Sequence, residues 1–399
     1  MMKYFPALMR LMKRQSLFTR NFSLCTLICF FYTIFFFMFY TGMTSYSEDV
    51  LCTGSMLGGF VASIFIGGDI ISRLAIGGRL DYYGKKRLAI IFLALGTAIS
   101  LFYFVTDSVA EILVVRFIHG ISYGVAASAV NTIVAQSLPA GRRGEGMGYF
   151  MLSMTIGSAL GPFMCMYLQG SGLYHEIFAI GCIANLAALI VALFLVDDRK
   201  GVEVAPPENP GIFERSALPI SVVAFVFFFS YSGVLSFISP YGNEIGLHIY
   251  AVYFFVALSV GTLICRLFLS RMYDIYGENL ALIPMFILFV IGMVLLSTAT
   301  NGYVLLFSGL LIGFNIAQLN SVGQAVVVRE ASPARVAAAV TMFGIFLDLA
   351  YAVGPILNGG LIDCVGYRTN YLLMAGVGLF SLVLYIVLHG RKHRGTPFR

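Results

Sequence analysis

Apolar positions along this chain are gathered into twelve long runs that short polar segments separate. Each run approaches the roughly 20 residues that an α-helix needs to cross the hydrocarbon core of a bilayer. Runs of this length in lipid must be helical, because no water is present to satisfy open backbone groups. The pattern predicts an all-α integral membrane protein whose twelve transmembrane helices lie at residues 22–45, 54–77, 87–105, 111–136, 145–168, 176–196, 217–239, 249–270, 280–298, 303–328, 335–360 and 369–389.

The composition excludes a water-soluble fold. The chain is 59% hydrophobic and only 11% charged, with a mean hydropathy of +0.90, whereas soluble proteins contain about 25% charged residues. The basic residues fall in short clusters between apolar runs, so no nucleic-acid partner is expected. The seven cysteines show neither a CxxC pair nor a Cys/His metal spacing, and we interpret them as packing residues.

The lysines and arginines predict the orientation of the helices, because basic residues accumulate in cytoplasmic loops. Nearly all of the 25 lie in the N-terminal segment, the even-numbered loops or the C-terminal tail. We therefore expect a multi-pass protein of the plasma (cytoplasmic) membrane with both termini in the cytoplasm. The exceptions are Arg73, Arg116, Arg266 and Arg368.

The second half of the chain repeats the first at an offset of 193 residues, and the offset pairs Arg73 with Arg266 and Asp81 with Asp274. Two six-helix bundles with pseudo-two-fold symmetry are expected, and such bundles can rock about a site at their interface to give alternating access. The predicted division is a cytoplasmic lead-in, an N-terminal bundle, a cytoplasmic linker, a C-terminal bundle and a basic tail, at residues 1–21, 22–196, 197–216, 217–390 and 391–399.

The segment Gly78–Arg87, Gly-Arg-Leu-Asp-Tyr-Tyr-Gly-Lys-Lys-Arg, resembles the signature between helices two and three of the major facilitator superfamily. The resemblance implies that Asp81 closes the cytoplasmic side near residues 334–338, and that Asp274 does so near 144–147. A helix N-terminus stabilises such a carboxylate. The alternative is an orientation loop without a gating role. The candidate gating residues are Arg73, Gly78, Asp81, Gly84, Lys85, Arg266, Asp274 and Gly277.

Two further motifs are similar to sequences of the same family. Arg116 and His119 match its fourth-helix motif; Arg116 could face a cavity or snorkel to the outer surface, and His119 could be packed or carry a proton. The fifth-helix pattern of the antiporter branch is matched by Gly148, Gly157, Gly161 and Pro162, with Gly354 and Pro355 as repeats. That pattern implies export, but it is also a small-residue face that permits close helix packing.

Charged and polar residues inside the predicted helices are the candidate substrate and proton sites. Asp348 lies near the middle of helix eleven, where an acid is costly unless it is paired, protonated or hydrated. Asp69 and Arg73 are one helical turn apart, so they could neutralise each other. Arg73 and Arg266, near the cytoplasmic ends of their helices, could instead gate or snorkel. The cavity candidates are Asp348, Asp69, Arg116, His119, Asn131, Asn315, Gln318, Asn320 and Gln324.

Together, these features predict a proton-coupled exporter of a small amphipathic molecule. The stretch 348–355 also looks like a bacterial drug or metabolite exporter branch that includes opine-metallophore exporters. We expect a monomer in the bilayer that uses the proton gradient and has no cofactor, no metal and no enzymatic activity. The alternatives are an importer of a sugar, organic acid or siderophore on the same fold, and a non-transporting membrane sensor or scaffold.

Overall fold

The computed structural model describes residues 17–76, 80–139, 142–196, 213–266, 270–332 and 335–390, and these form helices with no strand among them. The last long run, Val336–Tyr385, is broken at Gly366, and we label its parts α11 (336–365) and α12 (367–385). The preceding helices are α1 Arg20–Asp49, α2 Ser55–Ile76, α3 Lys85–Ser100, α4 Val109–Ser137, α5 Arg143–Gln169, α6 Tyr174–Leu193, α7 Leu218–Glu244, α8 His248–Ile264, α9 Ser270–Ser297 and α10 Gly302–Glu330.

The all-α membrane fold is confirmed, although several predicted boundaries were wrong. Ten helices of the described chain are long and apolar enough to cross a membrane. The count of twelve is reached when α11 and α12 are separated and the shorter α8 is included. The predicted loop between the last two helices is a single break at Gly366, whose φ of 79° lies in the left-handed region.

Local sequence chemistry explains where several helices begin. Ser108 and Glu111 form a capping box at the start of α4, and the Asn301 side chain accepts a hydrogen bond from the backbone N–H of Val304 at the start of α10. Gly84, before α3, and Gly277, inside α9, both have positive φ, 92° and 79°. The tight turns expected at these two glycines are therefore present at positions 193 residues apart.

Close backbone packing repeats between the halves with the same offset. In the first half, a Cβ at Gly68 would collide with the carbonyl of Phe117, and one at Gly120 with the carbonyl of Phe65. The collisions at the corresponding positions of the second half are Gly261 with Leu310 and Gly313 with Leu258. Helix α2 thus approaches α4 as α8 approaches α10, because glycine leaves room for the facing backbone.

The six helices that precede residues 197–212 meet the six that follow at several places, which include α1 against α7, and we call two of these contacts seams. One seam is α2 against α11, and the other is α5 against α8. We call the end of the bundle near residues 76 and 336 the terminal face, and the end near residues 55 and 363 the opposite face. At the opposite face the Asp363 carboxylate accepts hydrogen bonds from the backbone N–H groups of Ser55 and Met56, at 2.8 and 2.9 Å.

The predicted domain boundaries remain predictions. Most of the linker (residues 197–212), the first sixteen residues and the tail from 391 onward lie outside the described residues. The described part ends at the terminal face near Gly390, whose carbonyl accepts a hydrogen bond from Asn279 at 3.1 Å.

Candidate substrate and ion site

A cluster of three charged side chains joins the two halves at the α2–α11 seam. The Arg73 Nε and Nη2 atoms donate to the two carboxylate oxygens of Asp69 at 2.7 and 2.9 Å. Its Nη1 donates to Asp348 Oδ2 at 3.1 Å. The expected neutralisation of Arg73 by Asp69 is therefore present but incomplete, because the guanidinium also pairs with an acid 275 residues away. We call these three residues the charge triad.

The members of the charge triad differ in exposure. The Asp69 side chain is 4% exposed, that of Asp348 20% and that of Arg73 34%. Asp69 is thus an interior anchor, whereas Asp348 and Arg73 reach accessible surface. This difference matters because only a reachable group can exchange its partner for a proton or a substrate.

Helix α4 packs closely against the side of α2 that carries Asp69. A Cβ at Gly124 would collide with the Ser72 hydroxyl and an Asp69 carboxylate oxygen. The Ser72 hydroxyl donates to the Asp69 carbonyl at 2.8 Å. The absence of a side chain at Gly124 therefore leaves the space in which the polar face of α2 packs on α4.

Arg116 does not snorkel; that alternative is wrong. The side chain is buried, its Nε and Nη2 donate to the carbonyls of Val61 and Ala62 at 3.2 and 2.6 Å, and its guanidinium lies 4.7 Å from the centre of the Phe65 ring. The backbone of α2 supplies these partners, which the sequence pattern did not reveal. Arg116 thereby joins α4 to the backbone of α2.

His119 lies in a separate interior environment. Its Nδ1 is 3.4 Å from the Tyr103 hydroxyl and its Nε2 is 3.5 Å from the Asn185 amide, both at the long limit of hydrogen bonding. The Phe35 ring packs 4.5 Å from the imidazole. An adjoining cavity of about 10 Å³, lined by His119, Ser122 and Asn185, is at the lower limit for one water molecule. These contacts favour the alternative in which His119 is a packed residue.

The predicted cavity amides are not gathered around the charge triad. Asn315 and Gln318 are buried, and Gln318 accepts a hydrogen bond from the Cys265 thiol at 3.2 Å. Gln324 donates to Asn320 at 3.2 Å within α10, and Asn131 is exposed. Helical rotation distributes these side chains over several environments, so their role in a substrate cavity stays a prediction.

Several of the predicted gating residues lie in the described part of the chain, and others do not. Gly78 and the side chains of Asp81 and Asp274 lie outside the described residues. The predicted closure of the cytoplasmic side by these two aspartates therefore stays a prediction. Lys85 donates a hydrogen bond to Gln136 at the terminal face. Arg266 lies just after the last residue of α8, Ile264.

The start of α11 has a partner that the sequence did not suggest. Arg335 Nε donates to Glu214 Oε2 at 3.0 Å, and its Nη2 donates to the Phe213 carbonyl at 2.6 Å. The hydrogen bond from Arg335, helped by Ser216, lowers the pKa of Glu214 below its usual range. The end of the linker is thereby attached to helix α11.

The glycine pattern on α5 is a packing face. A Cβ at Gly157 would crowd Thr33 and Phe30, and one at Gly161 would press on the backbone of Ile34 and Met38, all on α1. A Cβ at Gly354 would collide with Ser232 on α7 in the same way, and Pro162 and Pro355 lie inside their helices. Gly148 has open space around it. Close helix packing therefore accounts for most of this pattern.

Sequence reasoning missed three polar clusters. They are Asp363 at the N-terminus of α2, the Tyr40 hydroxyl that donates to the Tyr351 carbonyl at 2.8 Å, and Glu278, which accepts two hydrogen bonds from Arg329 at 2.9 Å. Each joins residues more than fifty positions apart. A scan for acids at the ends of apolar runs would have marked Asp363 and Glu278, but not their partners.

The helical bundles, the glycine-packed repeat and the charged seam together define a membrane transporter. The family model described as Major Facilitator Superfamily matches residues 23–280 and 253–399. The chain therefore belongs to the Major Facilitator Superfamily, and the resemblance stated from the motifs is confirmed. It is a multi-pass membrane protein of a family that acts on small-molecule substrates.

Three known proteins show how far the likeness extends. An uncharacterised MFS-type transporter of Methanocaldococcus jannaschii is 25% identical over 368 residues, covering 88% of this chain and 93% of the relative. The quinolone resistance protein NorA of Staphylococcus aureus is 24% identical over 370 residues, covering 88% and 91%. The crystal structure of the nucleoside transporter NupG has a TM-score of 0.72 at 15% identity, covering 93% and 99%. The last likeness concerns the fold alone.

Proposed function

We propose that this protein is a proton-coupled exporter of small amphipathic molecules, working by alternating access in the plasma membrane. The observation that carries the proposal is the ion pair between Arg73 and Asp348 across the α2–α11 seam. A proton on Asp348 removes half of that pair, so protonation and the relative position of the halves become linked. Export is supported by the likeness to a quinolone resistance protein.

The proposal includes a monomer with both termini in the cytoplasm, which follows from the distribution of basic residues. The electrochemical proton gradient is the energy source, and neither an organic cofactor, a metal nor an enzymatic step takes part. Asp348 is the coupling carboxylate, and Asp69 assists by holding Arg73. An importer of the same fold would use the same triad, so direction needs its own measurement.

The test uses proteoliposomes that contain the purified protein and a pH gradient. A panel of fluorescent amphipathic compounds with cationic, neutral and anionic members is loaded, and their gradient-driven movement is followed. Asp348→Asn should reduce uphill transport to the level of protein-free vesicles while leaving downhill exchange at high compound concentrations. Asp107→Asn, the same chemical change at an exposed acid, is the matched control. Unchanged uphill transport in Asp348→Asn would remove that residue from the mechanism.

Direction is tested in energised cells. Depletion of the transported compound on overexpression supports export, whereas accumulation supports the importer. A protein that moves no compound in either assay would favour the sensor or scaffold.

A further inference from the structure

We infer that the substrate is a monovalent organic cation whose positive group replaces Arg73 on Asp348. This inference rests on the proposed function of the same site and names the substrate class. Its basis is the unequal way in which the two carboxylates of the charge triad hold one guanidinium.

The net charge of the triad selects the sign of the ligand. Two ionised carboxylates and one guanidinium leave one negative charge in excess, at a place where the surrounding helices are apolar. An anion that approached Arg73 would meet both carboxylates at close range, and the attraction and repulsion of unit charges are strong in such a medium. A cation completes the neutralisation.

The geometry selects which acid exchanges its partner. Asp69 receives two hydrogen bonds from Arg73 in a bidentate pair, whereas Asp348 receives one, at 3.1 Å. When a ligand takes Asp348, Arg73 stays paired with Asp69 and no buried charge is left alone. Release of Asp69 instead would leave a carboxylate that is 4% exposed without a cation, which is costly.

An aromatic cluster lies near Asp348, and its half-buried member, Tyr351, is the ring that the apolar body of an organic cation can reach. Tyr351 is three residues further along α11, on the same side of the helix. Its ring lies 5.6 Å from that of Phe228, 6.3 Å from that of Tyr231 and 6.1 Å from that of Tyr40. Ring faces attract cations, and this attraction increases when water is excluded.

A proton and the cation are alternative partners of the same carboxylate. The charged and titratable groups of the described chain that interact electrostatically with Asp348 are Arg73 and Asp69 from α2, Tyr123 from α4, and Tyr351 on α11 itself. Arg73 can leave Asp348 and remain paired with Asp69, so the exchange at Asp348 leaves no other charge without a partner. Mutually exclusive occupation by a proton and a cation is the requirement for exchange transport.

The experiment measures binding to the purified full-length protein in detergent with two probes of equal shape and opposite charge, tetraphenylphosphonium and tetraphenylborate. We expect the cation to bind and the anion not to. Cation binding should weaken on acidification. At the acidic end of that range, where Asp348 carries a proton, binding should also release protons into a weakly buffered solution. Tighter binding of tetraphenylborate, or cation binding that is independent of pH, would overturn the inference.

Variants assign the binding to the triad. Asp348→Asn should weaken tetraphenylphosphonium binding by about tenfold or more, because it removes the charged partner. Arg73→Gln should strengthen it by about tenfold, because the competing guanidinium is gone. Asp107→Asn should leave it unchanged. Each variant is first checked for a monodisperse, folded state, and Arg73→Lys, which retains a competing cation, should bind as weakly as the wild type. Equal affinity of all variants for the cation would contradict the assignment.

Failure of this inference differs from failure of the proposed function, because the binding assay contains no gradient. If a neutral or anionic compound is exported along the gradient and no cation binds, the proposed export function stands and the inference of a cationic substrate is wrong. If cation binding responds to the variants but no proton-driven transport occurs, the cationic ligand stands and the proposed export function is wrong.

Discussion

The α2–α11 and α5–α8 seams are equivalent by the repeat, and in the part of the chain that the structure describes an ion pair lies at the centre of the first. Arg73 has a counterpart in Arg266, whereas Asp69 corresponds to Thr262 and Asp348 to Thr155. The two threonines donate to backbone carbonyls, of Gly313 at 3.1 Å and Met151 at 3.0 Å. The halves therefore share their packing and differ in the chemistry of the seams, which makes one seam the candidate for ion coupling.

The difference continues at the opposite face. Asp363 caps α2 across the first seam, and its counterpart Gly170 lies against the ring of His248 across the second. A carboxylate on a helix N-terminus is a stronger contact than a glycine against an imidazole. The first seam thus has a charge-assisted contact at a position where the second has a glycine packed against an imidazole ring.

The largest expected effect tests the part that the halves share. Gly120→Ala and Gly313→Ala each place a Cβ against a carbonyl of the neighbouring helix. Each should lower the free energy of unfolding by about 3 kcal/mol, because a backbone atom cannot move aside easily. Gly148→Ala, which meets open space, should change it by less than about 1 kcal/mol. Denaturant unfolding in detergent measures the free energy of unfolding of all three variants. Unequal decreases for Gly120→Ala and Gly313→Ala would show that the two halves are not packed equivalently.

The next effect tests the difference between the seams through two double-mutant cycles. Arg73→Gln with Asp348→Asn should show a coupling free energy of about 1–2 kcal/mol, because each side chain loses its charged partner. Arg266→Gln with Thr155→Ala should show less than about 0.5 kcal/mol, since a threonine cannot form an ion pair. The same unfolding assay supplies both values. Similar coupling in both cycles would mean that the charges do not distinguish the seams.

A smaller effect is expected at the Asp363 contact. Asp363→Asn should raise the population in which the opposite face is open by about fivefold, corresponding to about 1 kcal/mol for a weakened charge-assisted contact. The exposed native Cys52 and Cys364 lie on the two sides of this seam and can carry spin labels, with Cys182→Ser to prevent side reactions. Electron-spin distance distributions measure the shift, and His248→Ala is the comparison at the other seam. An equal shift in both variants would remove the special role of Asp363.

The smallest effect concerns the end of the linker, where Glu214 corresponds to Asn21 of the first half. Arg335 lowers the pKa of Glu214, so this contact stabilises the fold above the ordinary glutamate pKa and is lost as pH falls through the lowered value. Glu214→Gln should reduce the melting temperature slightly at neutral pH and not at acid pH. Asn21, which bonds the Val196 backbone at 3.0 and 2.8 Å, should show no such pH dependence on substitution to Ala. A pH-independent effect at Glu214 would contradict the assignment.

Much of the architecture followed from the sequence, because lipid imposes a strict length and polarity on each helix. The repeat was also visible, since Gly120 and Gly313 keep the same spacing that close packing requires. The boundary between α11 and α12 was not, because a single glycine with positive φ can replace a loop.

The sequence by itself determined the helical membrane fold, the repeat and the residue types of the candidate site, because these depend on hydrophobicity and spacing along one chain. The tertiary structure alone decided the partners: that Arg73 joins Asp69 to Asp348, that Arg116 turns inward to α2, and that His119 stands apart. Such pairings depend on how helices far apart in sequence rotate and pack against each other. Helical periodicity places a side chain on a face, but it does not specify what that face meets.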